Sequence, residues 1–428
     1  MIERVPTESV LSKRHLAAIV AGNALEFYDF LIFSFFAIPI GKTFFPSSRP
    51  ETSLLLALAT FGAGFLTRPL GGIVIGLFAN RAGRKPAMLL SFALMGVSML
   101  GMACTPGFAK IGIAAPILAL AWRLLQGFAL GGEVGPTTAL LVEGAPVSQR
   151  GLFGSLQIAT QQASIAVVGI VGFWLSGHLS AAAMDGWGWR VALLGGVMVV
   201  PIGLIVRRAL PETLHAASRV ASEPIPGGLA RMVVLTFVIL ASSTVGTYVL
   251  NTLTTYAIST LKMDAGVGFA ATLVRGTCGA TFAILGGALS DRFGRRLPMM
   301  ITTLLAGVLA VPLLVLVVAT RSPAALLLTA AVLGALVAIG GTPALTVAVE
   351  ALPARVRAGT AGATYAFAIS VFGGSTPFVV TWLTQVTRDP LTPGWYLAGA
   401  AAIGLVALGF LPETAPKVKA KARGASPP

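Results

Sequence analysis

Charged side chains are scarce in this chain. Asp, Glu, Lys and Arg make up 11% of its 428 residues, whereas apolar side chains make up 56%. A soluble domain carries about 25% charged residues. The mean hydropathy of +0.87 points the same way. This composition excludes a soluble globular protein and predicts a protein embedded in a lipid bilayer.

Cysteine and histidine are also rare. The two cysteines, Cys104 and Cys278, both lie in apolar stretches, so the sequence predicts neither a structural disulfide nor a cysteine-ligated metal. Only three histidines are present. We therefore expect no metal and no cofactor.

Sequence motifs for catalysis are missing as well. A phosphate-binding loop needs two glycines ahead of Lys and Ser/Thr, so that backbone amides surround the phosphates. The stretch Gly41-Lys42-Thr43 has Phe36 where the first glycine belongs. Neither a zinc-protease helix nor a Gly-x-Ser-x-Gly motif in a strand context occurs. ATP hydrolysis by that route is excluded, and the protein is not expected to be an enzyme.

What the chain has instead is a series of apolar runs, each long enough to cross a bilayer as a helix of about 20 residues. Six fall in each half of the chain. We predict an all-α integral membrane protein with twelve transmembrane helices in two pseudo-symmetric bundles. The runs cover residues 16–40, 52–79, 87–107, 113–142, 152–181, 189–206, 232–261, 265–290, 298–320, 324–349, 359–386 and 395–411.

The two halves repeat each other. The loop Gly76–Lys85 returns as Gly287–Arg296, and Leu-Pro-Glu-Thr closes each half, at Leu210–Thr213 and Leu411–Thr414. Many secondary transporters build a central site between two such related bundles. We predict an N-terminal bundle over residues 1–209, a linker over 210–230 and a C-terminal bundle over 231–428.

Positive charges predict the orientation. If both termini are cytoplasmic, 20 of the 30 Lys and Arg residues fall on the cytoplasmic side, 7 outside and 3 within the bilayer, as the positive-inside rule requires. The net charge of +15 then reflects topology and an anionic inner leaflet. Because the basic residues are scattered over many loops, no nucleic acid is expected as a partner.

Several motifs carry a family resemblance. The repeated loop resembles the signature of the major facilitator superfamily. Further stretches resemble its metabolite:proton symporter branch, and within that branch its citrate and tricarballylate transporters. The first set is Gly22–Phe30, Phe44–Pro46, Arg68–Gly71, Arg123–Gly127 and Gly131–Glu133; the second is Phe61–Phe65, Gly286–Arg296, Phe372–Pro377 and Pro393–Tyr396.

The resemblance implies a monomeric symporter of the bacterial inner membrane that imports a small di- or tricarboxylate with protons by alternating access. Other organic acids or osmolytes of the branch, such as 2-oxoglutarate, shikimate or betaine, remain alternatives, as does sodium coupling. The antiporter motif of the fifth segment is missing, which favours symport. A channel or a non-transporting sensor would be the competing classes, and the paired signature loops argue against a channel.

Six charged residues fall inside the predicted spans. At the bilayer midplane each costs at least about 2.5 to 3.5 kcal/mol, so such residues usually face the bundle interior, with a partner or a transport pathway. Glu26, Asp29 and Arg68 have similar predicted depths in the bilayer. One hypothesis is that Arg68 forms a structural ion pair with Asp29. The other is that Glu26 or Asp29 carries the coupled proton. Glu133 is a further candidate proton carrier. The alternative is that it forms a hydrogen bond to a neighbouring helix. The six are Glu26, Asp29, Arg68, Arg123, Glu133 and Arg275.

Two of the arginines are candidate substrate ligands. The resemblance implies this for Arg123, with a structural role as the alternative. Arg275 lies near mid-membrane with no acidic residue of the C-terminal half at similar depth, and its planar fork suits a carboxylate. Its alternative is a bond to backbone carbonyls. Polar side chains that could complete the cavity, or merely join helices, are Gln157, Gln161, Tyr248, Asn251 and Tyr28.

The signature loops are candidate gates. Asn80 stands where the family usually has aspartate, whereas Asp291 keeps the acidic residue in the other half, so the C-terminal latch is expected to matter more. Glu143 and Glu350, at equivalent positions, are expected to bond these loops. The remaining gating residues are Arg81, Arg84, Arg292 and Arg295.

Charge balance predicts coupling. Moving a citrate-like trianion into the cell against a potential of 100 mV costs roughly 7 kcal/mol, at about 2.3 kcal/mol per charge. Cations must therefore enter with it. Protons are expected from the resemblance, while sodium could be held by carboxylate and amide oxygens.

Overall fold

The computed structural model describes residues 13–82, 84–131, 141, 145–197, 201, 229–351, 354–415 and 418. Every regular element in these ranges is helical. We number the main helices by predicted span. They are α1 Lys13–Phe35, α2 Pro50–Leu66 with Arg68–Ala82, α3 Arg84–Cys104, α4 Ala114–Leu130, α5 Arg150–His178, α6 Trp189–Val197, α7 Leu229–Asn251 with Leu253–Ser259, α8 Ala265–Phe293, α9 Arg296–Thr320, α10 Pro323–Glu350, α11 Ala354–Ala368 with Gly374–Thr387, and α12 Thr392–Phe410.

Each predicted apolar segment overlaps one of these helices, although residues 132–140 and most of 198–206 lie outside the described residues. Eight helices are long and apolar enough to cross a membrane within the described residues. Val20–Phe35 of α1 and the helix Ala37–Phe44 meet at an angle of 63°, and they add a ninth span if the bent pair is counted as one. The apolar parts of α3 and α4, Leu89–Cys104 and Ala114–Leu130, are shorter. The all-α membrane fold is therefore confirmed, and the architecture is consistent with twelve spans.

Two seams join the halves. Along the first, α5 packs on α8 so closely that a Cβ at Gly276 would lie 2.3 Å from the amide nitrogen of Ala166. Along the second, α2 meets α11, where a Cβ at Gly62 would lie 2.6 Å from the carbonyl oxygen of Gly374. Small residues let membrane helices approach in this way. The space between the seams is where a central cavity can form.

Helix α11 widens where it reaches that space. Residues Ile369–Gly373 form a wide π turn, four residues ahead of Pro377. Proline lacks the N–H that would bond the carbonyl of Gly373, and its ring crowds that carbonyl. Such π turns often mark functional positions, and Ile369 here lines the cavity between the halves.

The core of the N-terminal half is rich in phenylalanine. Phe30, Phe33, Phe61 and Phe65 are fully or almost fully buried and belong to one cluster. Their rings contact each other, with Phe30 and Phe65 at 4.7 Å between centroids. This cluster surrounds two buried arginines that are described below. The predicted linker, residues 210–230, lies outside the described residues except for its last two.

Helix spacing depends on the glycine pair Gly64 and Gly127, where α2 crosses α4. A Cβ at Gly127 would lie 1.6 Å from the carbonyl oxygen of Gly64, so we expect Gly127→Ala to force the helices apart. Overpacking costs about 1 to 3 kcal/mol, occasionally more. The melting temperature of the purified protein should fall by several degrees. Gly399→Ala is the matched control, because nothing lies within 4 Å of its Cβ position. Equal melting temperatures for the two variants would contradict the prediction.

Candidate functional site

A central cavity lies between the two halves. Its volume is about 60 Å³, enough for several water molecules. Its polar lining includes Gln161 and Gln162 of α5, Tyr248 and Asn251 of α7, and Tyr365 of α11. Both halves thus contribute side chains, as expected of a site that lies between two bundles.

Arg275 of α8 stands behind Asn251. One of its Nη atoms donates to Asn251 Oδ1, and the other donates to the carbonyl oxygen of Thr247 at 3.2 Å. The guanidinium is 1% exposed. Its partners are neutral amide and carbonyl groups, so the buried positive charge remains uncompensated by an anion within the described residues. The sequence left open whether Arg275 bonds a substrate carboxylate or backbone carbonyls. The bond to a backbone carbonyl is present, and Arg275 can still donate further hydrogen bonds.

Three buried N–H groups near the cavity have no hydrogen-bond partner among the described residues. They are Nε2 of Gln161, Nδ2 of Asn251 and Nε of Arg275. Each is a donor, and a buried donor that makes no hydrogen bond costs about 1 to 3 kcal/mol. Gln161 comes from the N-terminal half and the other two from the C-terminal half. Gln161 and Asn251 line the cavity and Arg275 lies behind Asn251, so unpartnered donors come from both halves.

Arg123 is enclosed within the N-terminal half and does not line the central cavity. It donates to Gln126 Oε1 and, at 3.4 Å, to the carbonyl oxygens of Phe30 and Phe61. Its guanidinium carbon lies 4.7 Å from the centroid of the Phe33 ring. Sequence spacing could have indicated the bond to Gln126, since residues three apart share a helix face.

Asp29 and Arg68 do not form the ion pair that was one of the two predictions. The guanidinium of Arg68 lies instead 4.3 Å from the ring centroid of Phe30 and 4.6 Å from that of Phe65, a cation–π arrangement. Both carboxylate oxygens of Asp29 are buried without a hydrogen-bond partner in the described part of the chain.

A second, smaller cavity of about 10 Å³ lies beside Asp29 inside the N-terminal half. Arg123, Gln126, Ser98 and Trp122 line it as well. A space of this size holds about one water molecule. An ionisable carboxyl group next to a water-sized space is suited to exchange a proton.

Two predicted cavity residues lie elsewhere. Gln157 is buried in a polar pair with Asn23, its Nε2 donating to Asn23 Oδ1 at 2.7 Å, and this pair joins α1 to α5. Tyr28 donates from its hydroxyl to the carbonyl oxygen of Ala192 at 3.1 Å, which joins α1 to α6. Neither lines the central cavity. Both make the helix-packing bonds that the sequence left open as the alternative.

The signature loop of the C-terminal half binds the N-terminal half directly. The two carboxylate oxygens of Asp291 accept hydrogen bonds from the backbone amides of Gly151 and Leu152, each at 2.8 Å. These amides belong to the first turn of α5, where N–H groups lack helical partners and the helix dipole favours an anion. Asp291 thus latches the two halves together on this face, which we call the signature-loop face.

Arg295 holds the latch in place. It contacts Asp291 at 2.6 Å and Glu350 of α10 at 3.1 Å. Burial lowers the pKa of Arg295, but the bonds and charges of Glu350 and Asp291 outweigh burial, so its pKa lies above the ordinary value for arginine. The predicted contact between Glu350 and its loop is present, whereas its action as a gate stays a prediction.

Glu413 is a latch residue that the sequence did not single out. Its carboxylate accepts from the backbone amides of Arg295 and Arg296 at 2.9 and 3.1 Å, and Thr414 donates to Glu350 at 3.1 Å. Both belong to the second Leu-Pro-Glu-Thr motif. Its repetition at the end of each half was the signal that could have identified it.

The remaining predicted residues are described only in part. Arg81 and Arg292 are exposed, and Glu26 is buried. The side chains of Asn80 and Arg84 are not described, and Glu133 and Glu143 lie outside the described residues.

Comparisons with known proteins identify the family. Residues 15–223 match the profile described as Sugar (and other) transporter, and residues 235–427 match that of the Major Facilitator Superfamily. A citrate-proton symporter of Salmonella typhi is 36% identical over 410 residues, which cover 92% of this chain and 92% of that protein. This chain belongs to the major facilitator superfamily. It is a multi-pass membrane transporter and not an enzyme.

Other members of the superfamily agree in sequence and in fold. A citrate-proton symporter of Klebsiella pneumoniae is 35% identical, covering 92% of this chain and 90% of its own. An alpha-ketoglutarate permease of Escherichia coli is 33% identical, covering 92% and 93%. A solved D-xylose-proton symporter superposes with a TM-score of 0.74 at 18% identity, covering 94% and 98%, which shows the shared fold.

The latch makes a testable contribution to conformation. We expect Asp291→Asn to open the signature-loop face and slow transport several-fold, because it removes the charge facing both Arg295 and the amides of α5. Distances between spin labels at Gln149 and Leu297, in a protein with both cysteines replaced by serine, should lengthen. Arg292→Gln is the matched control on the same loop. An Asp291→Asn distance distribution that equals the wild type would contradict this account.

Proposed function

We propose that this protein imports a small di- or tricarboxylate together with protons by alternating access. One observation carries the proposal: the unsatisfied N–H donors of Gln161, Asn251 and Arg275 around a cavity between the halves. Carboxylate oxygens are strong acceptors for such donors, and bonds with a charged partner are about twice as strong as neutral ones.

The relatives support this substrate class. Two are named citrate-proton symporters and a third an alpha-ketoglutarate permease, so all three names refer to acids with more than one carboxyl group. A proline/betaine transporter, at 30% identity, represents the zwitterionic alternative. The buried charge of Arg275 favours an anion, because a zwitterion would bring a cationic group close to it.

Arg275 is the principal carboxylate ligand in this proposal. Asn251 Oδ1 accepts a hydrogen bond from one Nη of the guanidinium, while Nε stays unpartnered within the described residues. An arriving carboxylate can bond Nε of Arg275 and Nδ2 of Asn251 together. It would satisfy two stranded donors and neutralise a buried charge in one step.

Protons are the proposed coupling ion, and Asp29 the proposed carrier. Its buried carboxylate has no hydrogen-bond partner within the described residues and shares a water-sized cavity with Arg123. Protonation removes a buried charge, whereas the ionised form is stabilised by Gln126 and Arg123, which line the same small cavity. The names of the relatives favour protons over sodium.

In this proposal the latch is one of the gates of alternating access. The bonds of Asp291 to Gly151 and Leu152 close the signature-loop face, and they must break for the cavity to open there. We place this face and both termini in the cytoplasm, following the distribution of positive charge. The proposed setting is the bacterial inner membrane, with one copy of the chain forming a complete site.

The substrate proposal predicts a counterflow pattern in proteoliposomes. Preloaded citrate or tricarballylate should exchange with labelled tricarballylate, whereas betaine and shikimate should not. Arg275→Gln should weaken tricarballylate binding about 10-fold or more, because a bond to a charged group contributes about 1.5 to 3 kcal/mol. Thr277→Val, on the same helix with an exposed hydroxyl bonded only to Leu273, is the control. Exchange of betaine but of no carboxylate would overturn the proposal.

Proton coupling predicts a split between two assays. Asp29→Asn should retain tricarballylate counterflow, which needs no net proton movement, and lose uptake driven by a pH gradient. Ser98→Ala changes the same small cavity without removing an ionisable group, so it should retain both activities. Gradient-driven uptake at the wild-type level in Asp29→Asn would rule out Asp29 as the carrier.

A further inference from the structure

We propose that Arg68 of α2 is a second carboxylate-binding arginine, so that one substrate molecule bridges a cation of each half. The inference rests on the proposed function and adds a ligand from the N-terminal half. It also assigns Arg68 to the substrate, where the sequence had suggested a partner for Asp29.

The first observation is the incomplete bonding of Arg68. The side chain is only 5% exposed, and its Nε and Nη2 have no hydrogen-bond partner within the described residues. Phenylalanine rings hold the plane of the guanidinium at 4.3 and 4.6 Å. Aromatic rings attract the charge but accept none of the N–H bonds in its plane. The donors are therefore positioned and still unused.

The second observation is the contrast with Arg123. Both guanidinium groups lie against the ring of Phe30, at 4.3 Å for Arg68 and 4.6 Å for Arg123. Arg123, however, donates to an amide oxygen and to two backbone carbonyls. Arg123 is therefore left with one unpartnered nitrogen, Nε, whereas Arg68 has two, Nε and Nη2, within the described residues.

The third observation places Arg68 toward the central cavity. The Phe65 ring beneath it contacts the ring of Tyr248, with 5.8 Å between centroids. Arg68 lies within electrostatic range of Tyr248 and Tyr365, both of which line the cavity. Arg275 is within range of Tyr248 from the other half. Tyr248 is thus within range of cations from both halves, Arg68 and Arg123 of one and Arg275 of the other.

A substrate seated at Tyr248 can consequently reach both arginines only if it carries two carboxylates on separate carbons. A monocarboxylate could satisfy one cation and would leave the other uncompensated. Bridging would also draw α2 and α8 toward each other, so substrate binding itself would favour the closed arrangement of the halves. Affinity should then depend on the number of carboxylates and on their spacing.

The test is a ligand-truncation cycle. Tricarballylate, glutarate and methylsuccinate share a three-carbon chain. Tricarballylate carries three carboxylates, glutarate lacks the central one, and methylsuccinate lacks one of the two terminal ones. Binding of each acid to wild type, Arg68→Gln and Arg68→Lys is measured by isothermal titration in nanodiscs. Arg123→Gln is the matched control, because that arginine contacts the same Phe30 ring.

We expect Arg68→Gln to weaken tricarballylate binding at least tenfold, and to weaken one of the two truncated acids less than twofold, since that acid lacks the carboxylate that Arg68 contacts. Arg123→Gln should change all three affinities by one common factor. If Arg68→Gln does not fold, Arg68→Lys should change the three affinities in the same order, by smaller factors.

An equal factor for all three acids in the folded Arg68 variant would overturn the inference and leave the proposed function standing. If wild type bound none of the three acids, both would fall. Unchanged tricarballylate affinity in Arg68→Gln would also overturn it.

Discussion

Burial of a guanidinium in an apolar bundle is the constraint on which this site depends. Arg275 cannot lose its charge, and moving that charge out of water costs several kcal/mol unless an anion and full hydrogen bonding compensate it. The structure supplies an amide oxygen and a carbonyl oxygen and no carboxylate within the described residues. In the proposed function, an anionic substrate would supply the missing compensation.

The two halves solve the same problem differently. In the N-terminal half, phenylalanine rings surround both Arg68 and Arg123, and Gln126 bonds the latter. In the C-terminal half, polar groups of α7 hold Arg275. Aromatic rings stabilise a cation without consuming its N–H groups, whereas an amide consumes them. The repeat therefore supplies a common scaffold, and the side chains that line it make the site asymmetric.

Much of the fold could be predicted from the sequence, because a bilayer requires long apolar helices and a duplication leaves matching motifs. Arg275 and Asp291 were identifiable from their depth and from the repeated loop. Side-chain direction could not be predicted: matching depth suggested that Arg68 would pair with Asp29, yet depth says nothing about rotation around the helix axis, and Arg68 turns to Phe30 and Phe65. The rotation of Tyr28 and Gln157 around their helix axes could not be predicted either, and neither side chain lines the cavity. Glu413 escaped notice because its bonds are to backbone amides, which leave no pattern of paired charges.

The latch and the substrate site must be balanced against each other. Asp291 binds two amides of α5 and is held by Arg295, which Glu350 and Glu413 secure in turn. If these bonds were much stronger than the attraction of the cavity for its anion, the signature-loop face would stay closed whatever the cavity held. If they were much weaker, it would stand open without substrate. A ligand shifts a conformational equilibrium only by its differential affinity for the two states. In the proposed function, the hydrogen bonds of Asp291 therefore have to be of a strength that the bonds of one polycarboxylate can match.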